Sequence, residues 1–165
     1  MRFLLPSECD AWVSERTSLE LSPEYLSIEL PSESGRLLFI AKHVAHEATF
    51  REQCLMHVTN CHIWPSSNNW HLYYRLRQSY GDQLLIDEAP GHLFLDHEAE
   101  DLTTFLHVAM MFGWDAQLRF AAPYFSAELS HDGFLDVYCD NRCLGTLAEF
   151  RKVIESAKFS TKIRT

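Results

Sequence analysis

The sequence predicts an α+β fold: an antiparallel sheet, including a C-terminal three-stranded meander, with helices packed on one face in a two-layer arrangement. Two observations predict it. Apolar residues recur at helical spacing in the segments 102–113 and 147–157, and between these segments three short runs alternate apolar and polar residues. The chain has 165 residues, of which 47% are hydrophobic. That is enough for one well-filled core, so we expect a single domain over residues 1–165.

The net charge bears on the class of partner. Acidic side chains outnumber lysine and arginine, which gives a formal charge of −9. This charge repels nucleic-acid phosphates and anionic membrane surfaces, and it attracts basic proteins. We therefore expect another protein as the partner, with basic proteins attracted most, and neither nucleic acid nor a membrane.

The cysteines indicate the compartment. Five of them are scattered along the chain, and an odd, scattered set is not typical of a disulfide framework. The apolar run before Pro6 is too short for a signal peptide, and no stretch approaches the length of a membrane-spanning helix. We expect a cytoplasmic protein with reduced thiols.

Residues 25–30 alternate apolar and polar side chains, which favours a half-buried strand. The loop sequence at 31–35 and the apolar residues at 36–41 follow, and together these segments predict an antiparallel hairpin. Residues 43–64 are ambiguous, because alanine and glutamate favour helix early and β-branched residues favour strand later. We expect a helix over roughly the first half of that segment.

After Pro65, the polar residues 66–69 offer several N-caps for a helix over residues 70–80, which Gly81 would end. Two short apolar runs follow at 84–86 and 92–95. Between them, the dipeptide Pro90-Gly91 suits the centre of a type II turn.

The segment 102–113 is the clearest helix, and acidic residues crowd its N-terminus, where the helix dipole favours negative charge. Its stripe falls at i, i+3, i+4, i+7, i+8 and i+11: Leu102, Phe105, Leu106, Ala109, Met110 and Gly113. A second helix follows near the C-terminus, where Thr146 and Glu149 have capping-box spacing. The basic tail beyond Lys158 is expected to be frayed.

Three strands are expected at residues 115–121, 124–130 and 134–140. A two-residue loop between the last two would place charges on the buried side. A three-residue loop, with Gly133 in the left-handed conformation, avoids this. It pairs Leu129 with Leu135, Ala127 with Val137, and Phe125 with Cys139.

The same register makes a prediction for the outer face of the sheet. It sets Glu128 opposite Asp136, and like charges across a strand pair are unfavourable without a nearby cation. Arg119 on the adjacent strand is expected to face the same side and to neutralise the pair. The two carboxylates are either a surface that meets a basic partner or cation, or an ordinary solvated sheet face.

The helix over residues 70–80 offers a second candidate contact surface. Its spacing buries Tyr73 with Leu72 and Leu76. We expect four side chains to remain available to a partner: Trp70, Tyr74, Arg75 and Arg77. Aromatic and arginine residues are enriched in protein interfaces.

Two groups of histidines and carboxylates are candidate metal sites. The first combines His43, His46 and Glu47 on one helix with the downstream residues Cys54, His57 and Cys61. The second comprises Asp87, Glu88, His92, Asp96, His97, Glu98 and Asp101. Within it Asp87, His92, Asp96 and His97 would hold zinc or another divalent metal, or serve general acid/base chemistry. Neither group has the spacing of an established zinc signature, and no cofactor is expected otherwise.

His131, Asp132 and Ser130 invite comparison with a catalytic triad. Sequence neighbours on a tight turn point apart, and no Gly-x-Ser-x-Gly motif occurs in the chain. Asp132-Gly133 is typical of a hairpin turn, which accounts for these residues without catalysis.

The sequence favours an acidic cytoplasmic domain that binds another protein, of the inhibitor, immunity or adaptor type, without catalytic activity. One alternative is a small metal-dependent enzyme that uses a histidine/carboxylate group. Another is a structural module of a larger assembly. No motif in the chain decides the ligand or the oligomeric state.

Overall fold

The structure, a computed structural model, describes residues 1–16, 21–47, 53–61, 70–120, 125–140 and 144–165. These residues contain eight strands and five helices. In chain order the elements are β1 (Arg2–Leu4), α1 (Pro6–Arg16), β2 (Leu21–Glu29), α2 (Ser34–Glu47), β3 (Gln53–Asn60), α3 (Trp70–Ser79), β4 (Gly91–Leu95), α4 (Ala99–Phe112), β5 (Asp115–Phe120), β6 (Phe125–Ser130), β7 (Phe134–Asp140), α5 (Leu144–Ser156) and β8 (Thr161–Arg164).

The eight strands form one open antiparallel sheet, so the predicted α+β fold class is confirmed. The strand order is β1-β4-β3-β5-β6-β7-β2-β8. The consecutive strands β5, β6 and β7 are the predicted meander. Because β2 returns from the N-terminal half to lie between β7 and β8, residues distant in sequence meet on one surface.

One face of the sheet carries the main core. The alternate residues Ala116, Leu118 and Phe120 of β5 are buried, whereas the residues between them are half-buried. Apolar residues from α2, α3, α4 and α5 join the same cluster, including Ile40 of α2 and Phe150 of α5. The helical layer on this face therefore leaves the alternate side chains of the strands pointing the other way.

Helix α1 packs on the opposite face, near the β1 edge. Its residues Cys9 and Trp12 form a small buried cluster with Leu55 of β3 and Leu93 of β4. Burying one large apolar side chain stabilises the folded protein by roughly 1.5–3 kcal/mol. Helix α1 thus covers the β4–β3 end, away from β7, β2 and β8.

The register of the β6–β7 hairpin is the predicted one. Leu129 pairs with Leu135 and Glu128 pairs with Asp136. Gly133 has a φ of 84°, the left-handed conformation that the three-residue loop requires. Its amide donates to the carbonyl of Ser130 at 3.1 Å.

The predicted hairpin over residues 25–41 is wrong in its second half. Residues 25–29 lie in β2, but residues 36–41 lie in helix α2. The buried residues Leu37, Ile40, Ala41, Val44 and Ala45 have the spacing i, i+3, i+4, i+7 and i+8. The apolar run at 36–41 was too short to separate strand from helix, and the stripe becomes clear only when it is followed to residue 45. In the ambiguous segment 43–64 the structure has helix to Glu47 and strand over Gln53–Asn60.

The predicted type II turn at Pro90-Gly91 is also wrong. Gly91 begins β4, pairs with Leu4 and lacks a positive φ. The chain reverses earlier, where the amides of Glu88 and Ala89 both donate to the carbonyl of Leu85 at 3.0 Å. Gly91 has a different use: a Cβ there would lie 2.9 Å from the Cβ of Leu4 and still closer to the Cys9 sulfur. The lack of a side chain at Gly91 allows β1 and α1 to pack closely against β4.

Two predictions for the C-terminal region need correction. Helix α5 begins at Leu144, so Thr146 lies inside its first turn and is not the N-cap. The tail is not frayed, because β8 pairs with β2 over Tyr25–Ile28. Pairing with β2 holds this segment at the edge of the sheet, although its own sequence is polar and basic.

Candidate functional site

The outward surface of five strands forms the candidate site, which we call the open face. It consists of two rows of side chains that run across β5, β6, β7, β2 and β8. The first row is Gln117, Glu128, Asp136, Ser27 and Lys162, and the second is Arg119, Ser126, Tyr138, Tyr25 and Arg164. Neighbours within a row are directly opposite on adjacent strands, where side chains interact most strongly.

Two carboxylates lie at the centre of the open face. Arg119 donates from Nη2 to Glu128 Oε1 at 3.1 Å, as the sequence predicts. Asp136 has no hydrogen-bond or ion-pair partner among the described residues, and its Oδ1 is buried. A carboxylate oxygen shielded from water and facing a like charge destabilises the fold unless a donor reaches it.

Two buried hydroxyls flank these carboxylates. Ser27 lies directly across from Asp136 and is 3% exposed, and Ser126 lies across from Tyr138 and is fully buried. Neither Oγ has a hydrogen-bond partner within the described part of the chain. The sequence prediction missed both serines, and the only available signal was their position in alternating strands.

An aromatic pair adjoins the carboxylates. Tyr25 and Tyr138 face each other across β2 and β7, with ring centroids 4.9 Å apart and an interplanar angle of 27°. Burial, and then the nearby negative charges of Glu128 and Asp136, raise the pKa of Tyr138 to about 12. Its phenol is therefore protonated at neutral pH and can donate a hydrogen bond.

Basic side chains border the open face on both sides. Arg119 lies on the β5 side, and the exposed residues Lys162 and Arg164 lie on β8. Arg164 extends over the ring of Phe134 at 5.4 Å. The open face is therefore a negative centre with positive borders.

Most of the predicted contact surface on α3 packs against other parts of the protein. Trp70 packs against Trp114 and Tyr74, at ring centroid distances of 5.5 and 5.9 Å. Arg75 is exposed as predicted, but Arg77 is fully buried. Arg77 is two residues from the exposed Arg75 and four from the buried Tyr73, so the helical stripe that buries Tyr73 also carries Arg77 inward. Leu72, predicted buried, is 54% exposed instead.

A chain of buried polar groups explains the position of Arg77. Its Nε donates to Asp82 Oδ2 at 2.6 Å, and its Nη1 donates to the Tyr73 hydroxyl at 3.1 Å. The same nitrogen donates to the Ala89 carbonyl at 3.1 Å. The guanidinium also lies 4.2 Å from the centre of the Phe3 ring.

His92 is the last member of this series of hydrogen-bonded polar groups, and it is fully buried. Its Nδ1 lies 3.0 Å from the Pro90 carbonyl, so we assign the ring proton to Nδ1. Nε2 then accepts from the Tyr73 hydroxyl at 2.7 Å. Burial, and then the positive charge of Arg77, lower the pKa of His92 from 6.5 to about 3. The ring is neutral at physiological pH and serves as an internal hydrogen-bond acceptor.

The four residues predicted as a metal site lie in different environments. His92 is in the core, whereas Asp96 and His97 are exposed and contact each other at 3.0 Å. Asp87 lies 3.9 Å from the sulfur of Cys61. In the residues that the structure describes, no three histidine, cysteine or acidic side chains converge as metal ligands. Metal binding by these residues stays a prediction.

The first predicted histidine group is also divided. His43 contacts the carbonyl of Phe39 at 2.8 Å, and His46 contacts Glu100 at 3.3 Å. Cys54 is fully buried in the main core. The side chain of Glu47 lies outside the described residues.

A cleft of about 320 Å³ near the end of β3 was not predicted. Its lining includes His57, Asn60, Cys61 and Asp87. Burial, and after it the charge of Asp87, raise the pKa of Cys61 to about 12, while burial lowers the pKa of His57. Cys61 is thus a thiol and not a thiolate at neutral pH, which argues against a cysteine nucleophile here.

His131 has a partner that the sequence did not indicate. Its Nδ1 lies 2.8 Å from Asp115 Oδ1, at the start of β5. The Ser130 hydroxyl accepts from the Asp132 amide at 3.2 Å, as expected for a turn. The hydrogen bond and charge of Asp115 raise the pKa of His131.

None of the helices in the described residues is long and apolar enough to cross a membrane. Comparison of the chain with protein-family models, with curated proteins and with solved structures finds no match.

Proposed function

We propose that this protein is a non-catalytic binding domain of the inhibitor, immunity or adaptor type, which holds a cationic group of a partner protein on the open face. The observation that carries the proposal is Asp136. Its carboxylate faces Glu128, has no partner among the described residues and buries one oxygen. A cation from another protein would supply the missing charge and hydrogen bonds.

Two further features support the proposal. The net charge of −9 attracts basic proteins at long range. Two of the described groups that could serve chemistry are otherwise engaged: His92 is neutral and hydrogen-bonded in the core, and Cys61 is a thiol at neutral pH. The proposal also includes a cytoplasmic location, supported by the thiols of Cys9, Cys54 and Cys61, which form no disulfide.

A comparison of two variants of equal charge tests the proposal. Asp136→Asn removes the central carboxylate, whereas Glu149→Gln removes an exposed one on α5, on the helical side of the sheet. Both variants change the net charge by one unit, so they separate the site from the overall charge. Each would be immobilised and exposed to native lysate, after circular dichroism shows that it is folded.

The expected result is one or more stoichiometric partners that wild type and Glu149→Gln retain and that Asp136→Asn loses. Retention should fall with added salt, because the attraction is electrostatic. Equal retention by Asp136→Asn and wild type would remove the open face from the proposal, and the absence of any stoichiometric partner would overturn it.

A further inference from the structure

We propose that the cationic group bound on the open face is an arginine guanidinium whose flanking residues are acidic. This inference rests on the proposed function and names the chemistry of the partner. It is drawn from the carboxylate and serine at the centre of the open face, the tyrosine pair beside them and the basic residues at the borders.

The centre of the open face offers several acceptors to one cation. Asp136 contributes a carboxylate without a partner among the described residues, and its Oδ2 is the oxygen open to a ligand, because Oδ1 and the Ser27 hydroxyl directly across from it are buried. Glu128, on the other side of Asp136, has one oxygen bonded to Arg119. Guanidinium has five N–H donors in a plane, whereas an ammonium is a compact point charge with three. Acceptors that lie on two neighbouring strands, in Asp136 and Glu128, suit the several donors of a guanidinium.

The tyrosine pair adds a second preference for arginine. Tyr138 follows Asp136 by two residues on β7, and Tyr25 precedes Ser27 by two on β2, so the rings lie about 7 Å along the strands from the carboxylate. A guanidinium that bonds to Asp136 can lay its flat face or its stem against a ring at this distance. Arginine stacks on aromatic faces more readily than lysine because it is more weakly hydrated.

The protein already contains this combination elsewhere. Arg77 pairs with Asp82 and at the same time lies 4.2 Å from the centre of the Phe3 ring. The same pairing of a carboxylate with an aromatic ring therefore holds an arginine inside this fold. On the open face the rings and the Asp136 carboxylate are present, but no arginine of the described residues is bonded to Asp136, because Arg119 pairs with Glu128.

The borders of the open face determine what flanks the arginine. Arg119 lies on β5 and Lys162 and Arg164 lie on β8, each two strands from β7 and thus about 10 Å from the centre. An extended segment lying across the strands covers this distance in about three residues. Basic residues at those positions would be repelled, whereas acidic ones would be attracted. The preferred segment carries one arginine with an acidic residue about three positions to each side.

Synthetic peptides test this inference with the full chain. The probe is the blocked peptide Glu-Gly-Ser-Arg-Ser-Gly-Glu, and its comparators replace arginine with lysine, arginine with neutral citrulline, or both glutamates with lysine. Dissociation constants would be measured by NMR titration against wild type, Asp136→Asn, Tyr138→Leu and the control Glu149→Gln. Thermal unfolding verifies that each variant is folded.

The arginine peptide should bind about three- to fivefold more tightly than the lysine peptide, the range expected when a solvent-accessible cation gains an aromatic face. Citrulline and the lysine-flanked peptide should bind more weakly than either. Tyr138→Leu should bring the arginine and lysine peptides close to equal affinity, and Glu149→Gln should match wild type.

Three outcomes would overturn the inference: equal or tighter binding of the lysine peptide, an unchanged arginine preference in Tyr138→Leu, or no binding of the arginine peptide to wild type. Arginine and lysine peptides that bind equally, and that both weaken with Asp136→Asn, would reject arginine selection and leave cation binding on the open face intact. If Asp136→Asn alters neither peptide binding nor partner capture, the proposed function fails as well.

Discussion

Glu128 and Asp136 lie directly opposite each other on β6 and β7. Of the two carboxylates, Glu128 pairs with Arg119, whereas Asp136 contacts no cation among the described residues. Such a like-charge pair is unfavourable in isolation. The buried hydroxyls of Ser27 and Ser126 on the same face also lack a partner among the described residues, which carries a cost of its own. Local destabilisation of this kind is common where a surface is shaped by binding and not by stability.

Asp136→Asn should increase the stability of the isolated protein. The substitution removes the repulsion from Glu128, so the free energy of unfolding should rise by about 0.5 kcal/mol at neutral pH and low salt. High salt should shrink the difference, because it screens exposed charges. Urea unfolding at low and high salt measures both effects.

The matched variant Arg119→Gln should have the opposite effect, because it leaves both carboxylates without a cation. A loss of about 0.5–1 kcal/mol is expected, since the ion pair is only partly shielded. A loss of stability in Asp136→Asn would contradict the prediction, because it would mean that the carboxylate stabilises the free protein.

Arg77→Met should destabilise the protein strongly. It removes the hydrogen bonds that Arg77 donates to the Tyr73 hydroxyl, the Asp82 carboxylate and the Ala89 carbonyl, and it leaves Asp82 without its cation. Breaking a buried ion pair from one side costs about 3 kcal/mol or more. Arg75→Met, on an exposed position of the same helix, should stay within about 0.5 kcal/mol of wild type. Similar losses from the two variants, measured by urea unfolding, would show that the buried polar chain contributes little.

Gly91→Ala should lower the melting temperature, because the added methyl group meets Leu4 and Cys9. Overpacking of this kind costs about 1–3 kcal/mol. The double substitution with Cys9→Ala should recover part of the loss, since it removes one of the two obstructing groups. Gly35→Ala has open space within a helix and should be neutral or slightly stabilising. Failure of Cys9→Ala to recover any stability would argue against this packing.

His92 should make the protein less stable in mild acid. Its pKa in the folded state is about 3, compared with an ordinary 6.5, so the unfolded chain binds a proton that the folded chain rejects. The contribution of His92 is complete above pH 6.5 and is lost as the pH falls toward 3. The loss approaches about 1.4 kcal/mol per pH unit.

The variant His92→Gln isolates this effect. Its free energy of unfolding should fall less steeply between neutral pH and mild acid than that of wild type, even if it is less stable throughout. His131 has a raised pKa and so changes stability in the opposite sense, but it contributes equally to both proteins. Parallel curves for the two would contradict a neutral, buried His92.

Local sequence patterns were sufficient for part of the fold. The stripe at residues 102–113 and the β6–β7 register follow from spacing and from Gly133, because both depend on residues close in sequence. The pattern at residues 36–41 was too short to separate strand from helix. The dipeptide Pro90-Gly91 predicts a turn, and the prediction fails because the contacts of Gly91 with Leu4 and Cys9 come from other elements and leave no local signal.

The candidate site also has a part that local sequence predicts and a part that depends on the packing of the whole fold. Sequence patterns are enough to predict that Glu128 faces Asp136 and that Arg119 can reach Glu128, since these residues belong to consecutive strands joined by short connections. The position of β2 beside β7, which brings Ser27 and Tyr25 to the same surface, is visible only in the folded protein. Alternation in a strand specifies which face a side chain occupies, but the neighbouring strand is chosen by packing of the whole core.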